Sequence, residues 1–281
     1  NTGMWENPAV QQNIKTLTMR GVHVVMPTSG HLACGDSGAG KLEDIEVIAR
    51  RAEEVLFAKR DMEGLRVLVT AGPSREALDP VRYISNRSSG KMGYSIAENA
   101  AKRGAKVTLL SGPVSLDAPK GVEVVPFLTT QELLDHALEL VGEQDIVIQA
   151  AAPADYRAQE IAPQKIKKQS GEPMTLELVE NPDVAATIGK KKEAAQVFVG
   201  FAAETNDVIE HAQGKLMRKN LDMIVANDVT RPGAGFDVDT NIVTLITRKG
   251  EQALPLMSKA EVAGHILDHV LELYFEKANK Q

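Results

Sequence analysis

From Arg66 to Asn227, short apolar runs alternate with amphipathic helical stretches, a rhythm that restricts the chain to a parallel sheet covered by helices. Strands are predicted at 66–71, 105–111, 122–127, 145–150, 197–202 and 222–227, with helices at 89–103, 130–141, 182–191 and 207–218. The pattern then changes. Asn241 to Thr247 (NIVTLIT) alternates like an antiparallel edge strand, and Lys259 to Glu276 reads as an amphipathic closing helix. The expected fold class is α/β: a doubly wound, mostly parallel sheet with an appended antiparallel β element.

Residues 1–62 read as a separate piece, with helix Pro8–Arg20, strand Val22–Met26, a glycine-rich loop Gly30–Gly40 and helix Leu42–Lys59. The second helix carries Leu42, Ile45, Ile48, Ala52, Val55 and Leu56 on one stripe, so it must pack against something. Two helices and one strand do not close a core, which makes this piece the remnant of a larger domain or an appendage. The charged stretch KRDMEGLR, Lys59–Arg66, reads as a hinge, and the expected domains are 1–62 and 63–281. The sequence opens at Asn1 rather than Met, so a segment upstream is expected to have been removed or left out.

The 281 residues carry a formal net charge of -6, with basic residues gathered in a few loops, which argues against nucleic acid as the main partner. No apolar run is long enough to span a membrane, and no secretory signal precedes the first helix. A single cysteine excludes an internal disulfide framework and fits a reducing compartment, so the cytoplasm is expected.

The run TAGPSREALDPVRYISNRSSGKMG, Thr70 to Gly93, takes a buried strand into a polar loop and then into a helix. Ligands of open α/β sheets bind at such strand ends. Ser88, Ser89 and Gly90 stand where backbone N–H groups at the start of a helix face an anion, and Arg82, Asn86 and Arg87 add donors. The alternative is a solvated loop with an ordinary Ser cap. Strand, glycine loop and helix also open a Rossmann unit, but the spacing G-x-G-x-x-G is absent. The next strand, Val107–Leu110, ends in Ser111-Gly112 without an acidic residue for a ribose, so the sheet is Rossmann-like and a dinucleotide enzyme is the lesser alternative.

QAAAPADY, Gln149 to Tyr156, places three alanines at a strand end, where small residues admit a ligand to the backbone or merely pack tightly. Asp155 suits a ribose hydroxyl or a magnesium–phosphate group, or is a solvated carboxylate. Lys165, Lys167 and Lys168 stand in PQKIKKQSGEPM, a tract without apolar periodicity, expected to be mobile. A lysine about 4 Å from a phosphate oxygen contributes on the order of 4 kcal/mol at an effective dielectric near 20. Asn181 is expected to cap a helix starting at Pro182; Phe201 either packs or stacks on a base; Lys215 and Lys219 share a helical face. Cys34, in HLACGDSGAG, is either a candidate acid or nucleophile or an inert thiol. No residue spacing suggests a metal cage or a Ser/His nucleophile pair.

Taken together, TAGPSREALDPVRYISNRSSGKMG, QAAAPADY, the KIKK tract, ENPD and the later K-x₃-K resemble the phosphopantothenate–cysteine ligase domain of the bacterial bifunctional coenzyme A enzymes. NTGMWENP with HLACGDSGAGK resembles the carboxyl end of the partner domain, phosphopantothenoylcysteine decarboxylase, a flavoprotein-type α/β segment. The resemblance covers essentially the whole chain.

It implies a ligase in which CTP activates the carboxylate of 4′-phosphopantothenate as an acyl-cytidylate, with loss of pyrophosphate, and the amine of cysteine then attacks to form an amide. Positioning alone supplies roughly 7–11 kcal/mol in such reactions. The resemblance puts the phosphopantothenoyl part on Asn86, Arg82 and Ala152, with Ser88, Ser89 and Gly90 beside them, and gives Asn86 a role in converting the intermediate to product. Lys165 corresponds to a flap lysine needed to form the intermediate. CTP contacts fall on Gln149, Ala150, Ala151, Asp155, Asn181, Pro182, Asp183, Val184, Phe201, Lys215 and Lys219, with Mg²⁺ on the phosphates and Asp155 as its one candidate protein ligand. A homodimer through the ligase domain is implied, and a higher oligomer where the decarboxylase domain is complete.

In the leading piece, Asn1 and Met4 match the end of a decarboxylase substrate-recognition motif and Cys34 its proton donor. The family's flavin-binding half would precede Asn1, so FMN binding and decarboxylation are expected of a full-length protein and not of this chain alone. A non-enzymatic dimerising scaffold is the remaining alternative.

Overall fold

The computed structural model describes residues 1–31, 37–56, 59–168, 171, 173–204, 208–228, 235 and 237–279. The chain divides into two compact units, Asn1–Lys59 and Arg60–Gln281. The division falls ahead of most of the stretch read as a hinge. Met62 from that stretch is fully buried in the core of the second unit, and Asp61 forms an ion pair at 2.7 Å with the nearly buried Arg103.

The first unit contains α1 (Thr2–Trp5), α2 (Pro8–Met19), β1 (Thr28–His31), β2 (Ser37–Lys41) and α3 (Ile45–Leu56). Asn1 caps α1 and Asn7 caps α2, whose first residue is Pro8, a proline position that loses no helix hydrogen bond. Two sequence expectations are corrected here. Val22–Met26 is not a strand: Val22, Val25 and Met26 stand well exposed, with no pairing segment among the described residues. The glycine-rich loop instead contains the antiparallel pair β1–β2, whose small residues hid it from a propensity reading.

The second unit begins with β3 (Arg66–Ala71), β4 (Arg75–Ala77), β5 (Tyr83–Ser85), α4 (Lys91–Lys102), β6 (Lys106–Ser111) and β7 (Val122–Pro126). It continues through α5 (Thr130–Leu140), β8 (Ile146–Gln149), β9 (Tyr156–Ala158), β10 (Leu178–Glu180), α6 (Val184–Lys191), β11 (Val197–Glu204), α7 (Val208–Arg218) and β12 (Met223–Asp228). It closes with β13 (Thr240–Asn241), β14 (Val243–Thr247), β15 (Gly250–Ala253), β16 (Met257–Ser258) and α8 (Lys259–Ala278). A capping box of Ser258 and Glu261 starts α8.

One eight-stranded sheet runs in the order β15-β14-β12-β11-β8-β3-β6-β7. The six strands from β12 to β7 are parallel; β14 runs antiparallel to β12, and β15 antiparallel to β14. α4 and α8 cover one face, burying Ile96, Ala100, Ile266 and Val270 against Val69, Ile148 and Val225. The other face packs Leu133, Ile188 and Leu216 of α5, α6 and α7 on Leu68, Val147 and Phe198. Burying both faces is why these strands read as unbroken apolar runs.

β14 is internal rather than the edge the sequence suggested. The edge is β15 (GEQA), exposed along its length and too polar to read as a strand, which also guards the sheet against further pairing.

Winding proceeds outward from β3 through β6 to β7, then returns to β8 on the other side of β3. The switch point therefore lies between β3 and β8, where a crevice opens beyond the carboxyl ends of the strands.

Candidate functional site

At the switch point the two strand ends are stitched together past the ladder. Thr70 and Gly72 carbonyls accept from Ala150 N–H (3.2 Å) and Ala152 N–H (2.9 Å), and Thr70 Oγ1 accepts from Ala151 N–H (3.1 Å). The alanine tract thus lies flat over the sheet edge, with no long side chain above it. On one side, α4 starts at Gly90, whose left-handed φ of 78° and missing side-chain cap leave the first turn open. A Cβ on Gly93 would come within 2.5 Å of Ala71 Cβ, so glycine is what lets α4 approach β3 this closely.

Two cavities open above this edge. The first, about 560 Å³, is bordered by Gln149, Asp155, the 180–185 turn, Phe201, Lys215 and Lys219. The second, about 400 Å³, is bordered by Asn86 through Gly93, Ala150–Pro153, Phe201, Lys215, Asn227, Asn241 and Lys259. They share Ala151, Pro153, Phe201 and Lys215 as a common wall. Both are the size of small-molecule sites.

The wall of the first cavity is fixed by a buried polar cluster. Thr130 Oγ1 lies 2.8 Å from Glu76 Oε1 and 3.0 Å from Ser74 Oγ, and Ser74 Oγ accepts from Ala154 N–H at 2.9 Å. Asn181 does not cap α6 as expected. Its Nδ2 donates to Ala154 O (2.9 Å), its Oδ1 accepts from Arg157 (2.9 Å), and Asp183 takes the cap by accepting from Ala186 N–H at 3.0 Å. Lys219 closes on the same carboxylate at 2.9 Å. Burial opposes ionisation of Asp183, yet the Ala186 N–H and the Lys219 ammonium outweigh it and hold the carboxyl below its ordinary value.

In the second cavity Asn86 donates from Nδ2 to Ala152 O (3.2 Å) and Pro153 O (3.0 Å), tying the loop before α4 to the alanine tract. Lys91 reaches Asp239 Oδ1 at 2.7 Å and Asp237 O at 2.6 Å; Lys259 donates to Gly235 O at 3.1 Å. Burial, with Lys91 nearby, pushes the Lys259 ammonium down against the pull of Asp239 and Asp237. Two amides stand out. Gln149 Oε1 in the first cavity and Asn227 Oδ1 in the second are buried acceptors with no partner among the described residues.

The ligase-domain residues singled out from the sequence line one cavity or the other, except Arg82 and the lysines Lys165, Lys167 and Lys168. Lys165 is exposed and borders neither. Arg82 is also outside both: it pairs with Asp79 at 3.0 Å and donates to the carbonyl of Ile166, so it sits with the lysine tract. That tract lies between β9 and β10, which form an antiparallel pair, as β4 and β5 do, where the sequence shows no strand periodicity. Among the described residues no cluster of three metal-ligating side chains occurs; Asp155 shares the first cavity with Glu180 and with Asp183, whose carboxylate is taken up by Lys219. A magnesium ion that keeps its waters and rides on phosphates fits such a wall. Asn1 caps α1 and Met4 is exposed, both in the first unit; Cys34 lies outside the described residues.

Sequence reasoning missed Asn227, Asn241, Lys91 and Lys259. An asparagine ending an apolar strand, as in MIVAND, was a usable signal; buried Lys259 at the start of an amphipathic helix offered none.

The sheet, its switch point and the joined cavities define a doubly wound α/β enzyme. Comparison with known proteins gives the family: residues 62–274 match the DNA/pantothenate metabolism flavoprotein C-terminal domain, and residues 1–56 match the flavoprotein family. The coenzyme A biosynthesis bifunctional protein CoaBC of Haemophilus influenzae is 46% identical over 98% of this chain and 68% of its own length. Its counterpart in Escherichia coli K12 is 46% identical over 99% of this chain and 69% of its own. The crystal structure of a CoaBC C-terminal domain superposes with a TM-score of 0.66 at 40% identity, covering 76% of this chain and 98% of that one. A Cab2 variant crystallised with phosphopantothenate-cysteine shares the fold at 16% identity and a TM-score of 0.62. The chain belongs to the CoaBC family of bifunctional coenzyme A biosynthesis enzymes and carries that family's ligase domain.

Proposed function

We propose that the unit Arg60–Gln281 joins 4′-phosphopantothenate to cysteine using CTP. The observation that carries this reading is the shared wall of the two cavities, because an acyl-cytidylate must have its nucleotide and its acyl half in adjoining chambers. The nucleotide takes the first chamber, with Gln149, Ala151, Asp155, Asn181, Asp183, Val184, Phe201 and Lys219 around it. The acyl half takes the second, against Asn86 and Ala152. Phosphate oxygens meet the open first turn of α4, with Ser88, Ser89 and Gly90, and meet Lys215 at the junction.

In the first step a carboxylate oxygen of 4′-phosphopantothenate attacks the α-phosphorus of CTP and the bond to pyrophosphate breaks. In the second the cysteine nitrogen adds to the acyl carbon, the bond to CMP breaks, and the amine proton passes to solvent. Magnesium would neutralise phosphate charge beside Asp155. Preorganised cations and N–H groups act where charge develops.

Arg82 and Lys165 belong to this reading across a subunit contact. Val81, Tyr83, Tyr156, Ile161 and Leu178 expose apolar surface around the two small hairpins, a setting suited to pairing with a second copy in the cytoplasm.

The test is to supply 4′-phosphopantothenate and cysteine with each of the four nucleoside triphosphates and to follow pyrophosphate and amide. CTP-dependent release of both is expected; a scaffold gives neither, and a dinucleotide enzyme instead shows protection by NADPH against thermal unfolding. Asn86→Asp should still release pyrophosphate while making little amide, and Lys165→Gln should block the first step.

A further inference from the structure

Among the described residues Asn220 is the one non-glycine residue with a left-handed backbone, at φ 52°. It follows α7, and the N–H groups of Asn220 and Leu221 donate back to the carbonyls of Met217 (3.2 Å) and Leu216 (2.9 Å), the pairing that ends a helix on a left-handed residue. Glycine fills that place with least strain, so the turn does not call for an asparagine. The carboxamide does. Its Nδ2 donates to the carbonyl of Gly189 in α6 at 2.9 Å, and its Oδ1 accepts from Arg248, just beyond β14, at 3.3 Å. The two backbones touch here: a Cβ on Gly189 would lie 1.9 Å from the Lys219 carbonyl oxygen.

The residue pinned by this contact is Lys219. Its main chain rests on Gly189, and its ammonium reaches back along α6 to Asp183 at 2.9 Å. At 1.5 Å per residue, Asp183 stands about 9 Å up the helix from Gly189. α6 and the end of α7 are therefore joined at two points, by a latch at Gly189–Asn220 and by the ion pair Asp183–Lys219. The first cavity is lined by both partners, the 181–185 turn from one and Lys215 and Lys219 from the other. An ammonium that leaves Asp183 for a phosphate keeps its place only if the main chain behind it is held. We propose that Asn220 is a positioning residue for the nucleotide: its bond to Gly189 fixes the Lys219 main chain, so that the ammonium meets phosphate oxygens already oriented. Asn220 itself borders neither of the two cavities, so it acts through Lys219 and not by contact.

This inference rests on the ligase reading, and the assays tell the two apart. Asn220→Gly keeps the left-handed turn and deletes the carboxamide; Asn220→Asp keeps an acceptor for Arg248 but cannot donate to Gly189. Thermal unfolding is recorded for both, with CTP affinity from calorimetry and with KM and kcat from pyrophosphate release. Asn220→Gly should unfold close to the unaltered protein, because glycine relieves the turn, while its KM for CTP rises roughly 3- to 10-fold, the size of one net hydrogen bond. kcat and the KM for cysteine should hold, and Asn220→Asp should show the same rise for CTP. The deciding variant is Lys219→Met, alone and combined with Asn220→Gly. If Asn220 acts through Lys219, the combination should bind CTP no more weakly than Lys219→Met alone. A full additional loss in the combination means that Asn220 acts elsewhere, and a lower unfolding midpoint with unchanged CTP affinity means that it serves the fold alone; either result overturns the inference. If the unaltered protein binds no CTP, the ligase reading falls, and this inference with it.

Discussion

Asp183 performs two tasks with one carboxylate: it caps α6 and holds Lys219 at the rim of the first cavity. Removing the cap in Asp183→Ala should lower stability by roughly 0.5–2 kcal/mol near neutral pH, read by denaturant unfolding. The pH dependence follows from the sign of its shift. The folded carboxyl titrates below its ordinary, unfolded value, so its stabilisation is present above that ordinary value and lost as pH falls through the lower, folded one. The stability gap between variant and parent should therefore close only in strong acid; a gap closing between pH 5 and 6 contradicts the assignment. Residues of this kind were legible when they stood on a strand end or before a helix, as Gln149, Asp155 and the ENPD turn do. The division of labour inside ENPD was not, because Asn181 prefers the Ala154 carbonyl to the helix end and only the folded neighbourhood reveals that choice.

Among elements, the six parallel strands and their helices could be read from apolar periodicity, since burial on both faces leaves a continuous signal. The hairpins could not. β4–β5 and β9–β10 are pairs of three-residue strands, too short to show alternation, and β15 has no buried side chain to mark it. Yet one hairpin loop organises the polar apparatus beyond the cavities. Asp79 accepts from the N–H groups of Val81 and Arg82 at 2.8 Å and of Ile166 at 3.2 Å, and pairs with the Arg82 guanidinium. Burial raises its carboxyl, but those N–H groups and Arg82 together hold it below the ordinary range. One carboxylate thus fastens Arg82 and the lysine tract to the same turn. Asp79→Asn should free the tract, seen as faster amide hydrogen exchange over residues 162–168, and should slow pyrophosphate release while leaving exchange in β3 and β8 unchanged. Equal acceleration throughout the sheet would mean that Asp79 serves global stability instead. The carboxylate loses its hold as pH falls through its depressed folded value, so the tract should loosen only in acid.

For the molecule as a whole, the separation of Arg82 and Lys165 from the cavities of their own unit is the fact with most consequence. Each lies beside exposed apolar residues, Val81 and Tyr83 next to Arg82 and Ile161 close to Lys165, and burying such a patch against a second copy would bring cations to a neighbouring crevice. A chain beginning at Arg60 should suffice for this, because Met62 and Asp61 already belong to the second unit; one beginning at Arg66 forfeits the burial of Met62 and should be less stable by about 2–5 kcal/mol. Sharing of sites can be tested by mixing two inactive proteins, Arg82→Gln and Asn86→Asp. If Arg82 serves the cavity of its own chain, every site in a mixed dimer retains one defect and activity stays lost. If it serves the partner, each mixed dimer contains one site with both residues intact, and random reassortment should restore about a quarter of the parental activity. Recovery on mixing, rising with the time allowed for subunit exchange, is the expected result. Persistent inactivity of a demonstrably mixed dimer would return both cations to their own subunit and require the lysine tract to close over the cavity beside it.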